Sequence, residues 1–177
     1  MLFRSNITVT AKDWVRVDSG FINTNVFGSG NAGNISISTP HLTLDDRSVV
    51  SASTIGAGRA GDITFNVGRL KVLNGATIDS GTSSGGSSNG NAGNITISAN
   101  KSVTVAGFSA IGTTIVEPSA ITAASVGSGD AGQIHISTPL LQVDNRGIIS
   151  TSTGPAGAFD PLVTGKAGQI IDRKSVV

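Results

Sequence analysis

The chain of 177 residues contains no cysteine and no tyrosine, and aromatic residues make up only 4% of it. The lack of cysteine excludes disulfide cross-links and any zinc site built on thiolates. It fits a chain that is exported unfolded, in which early disulfides would block passage. It fits chance in a biased composition equally well.

Charged residues are scarce, at 13% of the chain, and the formal net charge is +1. The end segments 1–5 and 172–177 resemble translated adapter sequence, so we expect both to be non-native ends of an internal fragment. Removing Arg4, Arg173 and Lys174 from 12 basic residues, and Asp172 from 11 acidic ones, leaves nine and ten. This balance removes the electrostatic case for nucleic acid, and we predict no nucleic-acid partner.

Long apolar runs are absent as well. None approaches the roughly 18–20 residues that a transmembrane helix needs, so the sequence predicts no membrane span. A charged-then-apolar secretory leader is not recognisable either. Disorder is excluded for a different reason, since Ile, Val and Leu recur at fixed spacings.

The chain does contain a phrase of the form Ala-Gly-polar-Ile, which occurs five times, with a truncated copy at Asn6. We predict that the phrase is a structural corner, in which glycine takes the positive φ of a tight turn. The polar residue after each glycine should form a column that is hydrogen-bonded along the stack. The residues of this predicted corner are Gly33, Gly61, Gly93, Gly132, Gly168, Asn34, Asp62, Asn94, Gln133 and Gln169.

Three short apolar pairs follow each phrase, and each pair alternates with polar residues. Alternation with period two predicts strands, and no helical periodicity is present. Strands this short form no independent sheet, so each should pair in parallel with its copy in the next unit. We therefore predict an all-β fold over residues 6–171. It is a right-handed, single-stranded parallel β-helix (solenoid) with three short strands per rung and about 5–6 rungs. The pairs begin at Ile35, Ile63, Ile95 and Ile134, then at Leu42, Leu70, Val103 and Leu141, and then at Val50, Ile78, Ile111 and Ile149.

The length of the units varies, because successive phrases are 28, 32, 39 and 36 residues apart. We assign the surplus to the link between the third strand and the next phrase. All insertions should then emerge along one edge of the rod. The candidate contact loops lie near Ser83, Thr114 and Asp160. The stretch Ser119-Ala120-Ile121 resembles a duplicated third strand.

The succession of GNAGNITIS, L-x-V, a Gly-Ala-x-Ile-x-Ser step and GSGNAGNI resembles filamentous haemagglutinin-type exoproteins. These are large bacterial adhesins of the two-partner secretion class, and the resemblance covers roughly residues 6–171. It implies export, an outer-membrane β-barrel transporter as a partner, and a β-helical fibre that is secreted or held at the bacterial cell surface. The expected function is a structural and adhesive shaft without catalysis or cofactor. Host or neighbour-cell glycans or proteins are its candidate ligands.

Two alternatives remain open: a β-helical polysaccharide lyase or hydrolase whose catalytic rungs lie mostly outside this fragment, and a passive surface-layer or matrix component. The adjacent acids Asp45 and Asp46 find their nearest in-register carboxylate three rungs on, at Asp144. That is about 14 Å at ~4.8 Å per rung, beyond the ~5–9.5 Å of paired glycosidase carboxylates. We therefore predict no catalytic residue. Calcium is disfavoured because no copy of the tandem β-roll motif Gly-Gly-x-Gly-x-Asp occurs.

The two histidines and the aromatic residues of the first unit are the remaining candidates. His41 and His135 fall at different registers, which argues against a shared metal, and we predict no metal site. Trp14, Phe21 and Phe27 either form a carbohydrate-stacking patch or close an irregular first rung.

Overall fold

The computed structural model describes residues 5–83, 90–111, 114–126, 128–153, 166 and 168–173. Within these ranges the chain forms strands and no helix, and hence no helix of the length and apolarity that a membrane crossing requires. The strands are β1 (Ile7–Thr10), β2 (Trp14–Asp18), β3 (Phe21–Asn23), β4 (Val26–Phe27), β5 (Ile35–Asp45), β6 (Val49–Ser51), β7 (Thr54–Ile55), β8 (Ile63–Leu73), β9 (Thr77–Asp79), β10 (Thr82–Ser83), β11 (Ile95–Ala106), β12 (Phe108–Ile111), β13 (Thr114–Pro118), β14 (Ala120–Thr122), β15 (Ile134–Ser137), β16 (Leu141–Asp144), β17 (Ile148–Ser150) and β18 (Ile170–Arg173).

Most of these strands stack in parallel within three sheets. The largest sheet has the order β1-β5-β8-β11-β15-β18, with β2 beside β5 and β16 beside β11. A second sheet has the order β17-β14-β9-β6-β3, and a third has the order β10-β7-β4. Each strand lies beside its copy from the neighbouring repeat unit, as in the pair Ile35↔Ile63. The predicted all-β fold with parallel pairing between units is confirmed, and the arrangement is consistent with a β-helix.

In the three middle units the first two apolar pairs lie on one continuous strand, and the prediction of a separate sheet for each pair is wrong. β5, β8 and β11 run for 11, 11 and 12 residues through both pairs. Each bends midway, where the inside–outside alternation slips by one residue: Pro40 and His41 are both exposed, as are Asn100 and Lys101. The slip turns the second half of the strand around the core while parallel pairing continues on both sides of it. The third sheet is formed instead by the short strands β4, β7 and β10.

The third apolar pair occupies the five-stranded sheet, with one error in its assignment. Ile22, Val50 and Ile78 follow one another in register, as predicted for the first three units. In the next unit Ile121, and not Ile111, pairs with Ile78 and with Ile149. Ile111 belongs to an antiparallel hairpin of β12 and β13, which is inserted ahead of the third strand. The stretch that resembled a duplicated strand is therefore the strand itself.

The core is a continuous column of aliphatic side chains between the sheets. Ile35, Ile63, Ile95 and Ile134 stack in register and are at most 1% exposed. Phe65 is fully buried between Ile37 and Ile97 in the same way. Each such side chain contributes about 1.5–3 kcal/mol before conformational entropy is subtracted, so the inward positions hold the stack together.

The predicted end of the repeat segment at residue 171 lies inside β18. Asp172 pairs with Ile136, at a register position that is apolar in the units before it. Residues 1–4 and 174–177 lie outside the described residues, and the non-native origin of the two ends stays a prediction.

Candidate functional site

The Ala-Gly-polar phrase forms what we call the first corner, where the chain enters the large sheet. A Cβ atom built on Gly61 would lie 1.9 Å from the carbonyl oxygen of Gly33, and one on Gly93 would lie 2.0 Å from that of Gly61. Gly132 and Gly168 repeat this contact at 1.8 Å. The predicted positive φ is wrong for Gly33, Gly61, Gly93 and Gly132, none of which adopts one. Glycine is needed because successive units approach each other more closely than a methyl group allows.

The polar column of the first corner bonds side chain to backbone. The Oδ1 atom of Asn34 accepts the N–H of Asp62 at 2.9 Å, and that of Asp62 accepts the N–H of Asn94 at 2.8 Å. Asn94 continues the column to the N–H of Gln133 at 2.9 Å. Gln169 follows one unit later, where its carbonyl accepts the N–H of Ile134 at 2.9 Å.

A second polar column lies at the residue before each alanine, and the sequence analysis missed it. Asn91 Oδ1 accepts the N–H of Asp130 at 2.9 Å, and Asp130 Oδ1 accepts the N–H of Lys166 at 2.8 Å. Asn31 does the same for Arg59 at 2.8 Å. The signal was present in the sequence, because three of the five phrases carry Asn or Asp at this position. Two columns of short acceptors therefore tie the first corners of successive units, and the second column is interrupted at Arg59.

The turn after the second apolar pair forms the second corner, and its backbone is different. Asp46, Asn74 and Asn145 have φ values of 44°, 52° and 44°. Asn and Asp tolerate this left-handed region better than other side chains. These three residues therefore form the turn of the second corner.

The nearest carboxylate in register with the Asp45-Asp46 pair is one unit away, and the predicted separation of three rungs is wrong. Asp18 pairs with Asp45 because β2 lies beside β5. The Arg16 guanidinium bridges the two carboxylates, at 3.0 Å from Asp18 and 3.1 Å from Asp45. Asn74 donates a further hydrogen bond to Asp45 at 2.8 Å. The acids thus serve as acceptors for a corner cation and amide, which leaves no free pair for acid–base chemistry.

Ser83 and Thr114 lie at different places in their units, although the sequence predicted that all insertions follow the third strand. Ser83 ends β10, after the third strand of its unit. Thr114 begins β13 of the inserted hairpin, which leaves at the second corner, before the third strand β14. Asp160 lies outside the described residues. Ser83 and Thr114 therefore belong to different corners of the repeat unit.

The histidines and the first-unit aromatics stay apart. His135 lies on β15 in register with Thr96, pointing away from the core, and His41 is exposed on β5. Trp14, Phe21 and Phe27 are 68%, 71% and 81% exposed. They lie on β2, β3 and β4, each in a different sheet, and so form no single patch. Across the described ranges no three His, Asp or Glu side chains come together as metal ligands.

The outer face of the large sheet carries a groove at the strand bends. Its volume is about 590 Å³, and its lining residues come from four successive units. One wall presents hydroxyl and amide groups from Asn66, Ser98 and Ser137, which follow one another in register. The bend itself contributes Asn100 and Lys101.

Beyond the bend the same strands carry basic side chains. His41 pairs with Arg69 in register, and Lys71 lies two residues further along β8. Together they line a recess of about 340 Å³ next to the groove. Among the described residues none of these three, nor Lys101, takes part in an ion pair. We call the groove and this recess together the outer groove.

Comparisons with protein-family models, with curated proteins and with solved structures return no match. Function is therefore inferred from the chain's own surface and from the resemblance of its repeat.

Proposed function

We propose that this chain is a structural and adhesive shaft segment of a bacterial exoprotein of the filamentous haemagglutinin type, and that it catalyses no reaction. The observation that supports this proposal is the outer face of the large sheet on the first-corner side of the bend. Its outward positions form register columns of small polar residues, such as Ser36, Thr64 and Thr96. The columns contain no carboxylate among the described residues of β1, β5, β8, β11 and β15. Apart from His135, which continues the column of Ser36, Thr64 and Thr96, this surface offers hydrogen bonds without a general acid or base.

The fold proposed for the shaft is a right-handed, single-stranded parallel β-helix of about 5–6 rungs. Two properties of the first corner favour a stiff rod. The close glycine stacking fixes the distance between units, and the acceptor columns satisfy backbone N–H groups along the axis. Each unit then supports the next, as in other solenoids.

The proposal extends to the route of the chain. A cysteine-free, repetitive protein suits passage in an unfolded state, and the resemblance points to an outer-membrane β-barrel transporter as the partner. The chain would then fold outside the cell and remain secreted or on the cell surface. Host or neighbour-cell glycans or proteins are the proposed ligands.

A polysaccharide-active enzyme is the second candidate, and the outer groove is the observation that favours it. Among the described acids, Asp13 lies next to the bend, directly before Trp14, which pairs with His41. Asp18 and Asp45, which Arg16 bridges, lie at the far end of the second half of the strand. Catalysis in the groove would need carboxylates within about 5–9.5 Å of each other. We therefore place the enzyme second.

An adhesion assay tests the leading proposal. Fluorescent beads coated with the purified chain should attach to cultured cells more than beads coated with the Ile95→Asp variant, which we expect to be unfolded. Variants with residues 84–89 or 155–164 replaced by Gly-Ser linkers test the contact loops. Failure of the folded chain to attach would favour a passive matrix component, and release of new chain ends from a polysaccharide would favour the enzyme.

A further inference from the structure

We infer that the outer groove binds a polysaccharide chain that carries repeated anionic groups, seated along the axis of the stack. This inference deepens the proposed adhesive function and rests on it for its biological meaning. It concerns a surface distinct from the loops at Ser83 and Thr114, because it follows the strand bends of β5, β8 and β11.

The shape of the outer groove suits an extended chain better than a small ion. The groove crosses four successive units, and its residues repeat at the strand spacing of ~4.8 Å. Asn66, Ser98 and Ser137 therefore present hydroxyl and amide groups in a row parallel to the axis. Polysaccharides carry hydroxyl groups at every residue, and a row of donors and acceptors is complementary to them.

The charges of the recess next to the groove define the kind of polysaccharide that fits. Arg69 and Lys71 are exposed and lie two residues apart on one strand, which separates their Cα atoms by about 7 Å. His41 lies one unit before Arg69, and Lys101 lies at the bend one unit after it. No carboxylate is among the described residues that line the groove or the recess. The cations thus remain available for anionic groups of a ligand.

Charge is also separated across the second half of the large sheet. Arg69 and Lys71 lie near the bend, whereas Asp18, Asp45 and Asp144 occupy a register column at the far edge. Arg16 bridges the first two of these acids, and Asp144 accepts the N–H of Asn145. Asp13 is the described acid next to the bend, where it directly precedes Trp14, the partner of His41. A ligand with anions therefore has one favoured side on this surface, next to the hydroxyl and amide wall.

The experiment measures retention of the full chain on immobilised polysaccharides. The probes are polygalacturonate, which carries carboxylates, dextran sulfate, which carries sulfates, and unmodified dextran, which is neutral. We expect retention on the two anionic polymers at low salt, loss of it at high salt, and none on neutral dextran. The tighter of the two anionic polymers identifies the anionic group that the groove prefers.

Paired variants assign the binding to the groove. Arg69→Gln with Lys71→Gln should weaken binding about tenfold. Arg47→Gln with Lys166→Gln removes the same charge at other corners and should change it little. Ser98→Tyr blocks the groove without changing charge and should abolish retention. Thr96→Tyr, two residues earlier on the same strand and outside the groove, should not. Thermal unfolding confirms that all variants are folded.

Three results would overturn the inference: equal weakening by both charge pairs, salt-independent retention on neutral dextran, or tighter retention on duplex DNA than on either anionic polysaccharide. The two proposals fail separately. A chain that attaches to no cell but is retained on polygalacturonate contradicts the adhesive function alone. The opposite result is also possible: the chain attaches to cells, Arg69→Gln with Lys71→Gln leaves that attachment unchanged, and neither anionic polymer retains the chain. This result contradicts only the inference about the groove.

Discussion

The first and second corners of the repeat unit are both made of glycine, asparagine and aspartate, yet the backbone behaves differently at the two. At the first corner Gly61 has no positive φ, and it approaches the carbonyl of Gly33 too closely for any side chain. At the second corner Asn74 and Asn145 hold left-handed φ values. The first corner is thus determined by the neighbouring unit, and the second by local backbone geometry.

This difference explains where an insertion was accepted. The hairpin of β12 and β13 replaces a second-corner turn and leaves the stacked first corner intact. The Ser119 hydroxyl closes its base, since it donates to the carbonyl of Ala106 at 2.7 Å and accepts the N–H of Gly75 at 3.0 Å. The Arg146 guanidinium stacks over the Phe108 ring at 5.5 Å. A locally determined turn is easier to replace than one that contacts both neighbours.

The largest loss of stability is expected from a substitution in the strand that follows the first corner, and the losses in the corner variants are compared with it. Ile95→Asp buries a charge at a position that is 0% exposed, and we expect it to unfold the chain or destabilise it by more than about 4 kcal/mol. Thr96→Asp faces outward and should cost about 0.5 kcal/mol or less. Urea unfolding measures both. Equal damage from the two would contradict the assignment of inward and outward faces.

The glycines of the two corners should respond differently to the same change. Gly61→Ala places a Cβ 1.9 Å from a backbone oxygen, so units must separate, at a cost of about 3 kcal/mol or more. Gly20→Ala at the second corner meets a Val17 methyl at 3.1 Å and the Asp18 carbonyl oxygen at an ordinary 3.7 Å. Ala76 and Ser48 hold the same register position as Gly20, so this variant should be neutral or more stable. Thermal unfolding distinguishes them, and similar losses would show that the corners are alike.

The asparagines of the two corners give a crossed pattern. Asn94→Ala and Asn94→Gly both remove the acceptor for Gln133, and each should cost about 1–2 kcal/mol, whereas Asn94→Asp keeps it. Asn145→Ala should cost about 1 kcal/mol because alanine disfavours φ 44°, whereas Asn145→Gly should cost almost nothing. Urea midpoints of the five variants test this pattern. Rescue by glycine at both positions would contradict it.

The smallest effect is a gain in stability at the second corner. The hydroxyl of Ser48 is fully buried without a hydrogen-bond partner, and Ala76 fills the same register position in the next unit. Ser48→Ala should therefore stabilise the chain by about 1 kcal/mol. Ser119→Ala, one unit beyond Ala76, loses two hydrogen bonds and should destabilise it by a similar amount. A loss of stability in Ser48→Ala would show that its hydroxyl has a partner.

The sequence predicted the features that repeat and missed those that depend on contacts between units. The apolar spacing was sufficient for the all-β fold, the parallel pairing and the inward positions of Ile35, Ile63 and Ile95. The reason for the glycines was missed, because close approach between units leaves no local signature. Ile111 was misplaced because a hairpin and a displaced strand have the same alternation. The outer groove was missed because Arg69 and Lys101 are 32 residues apart in the chain. Only the parallel pairing of β8 with β11 at the bend places them on neighbouring strands.

The most direct test of the central claim, that the first corner is held by the neighbouring unit, is amide hydrogen exchange at Gln133. Its N–H donates to the side chain of Asn94, which lies 39 residues earlier in the chain. We predict that Asn94→Ala accelerates exchange of the Gln133 amide selectively, while Asn145→Ala leaves that amide protected. Unchanged protection of Gln133 in Asn94→Ala would contradict the claim.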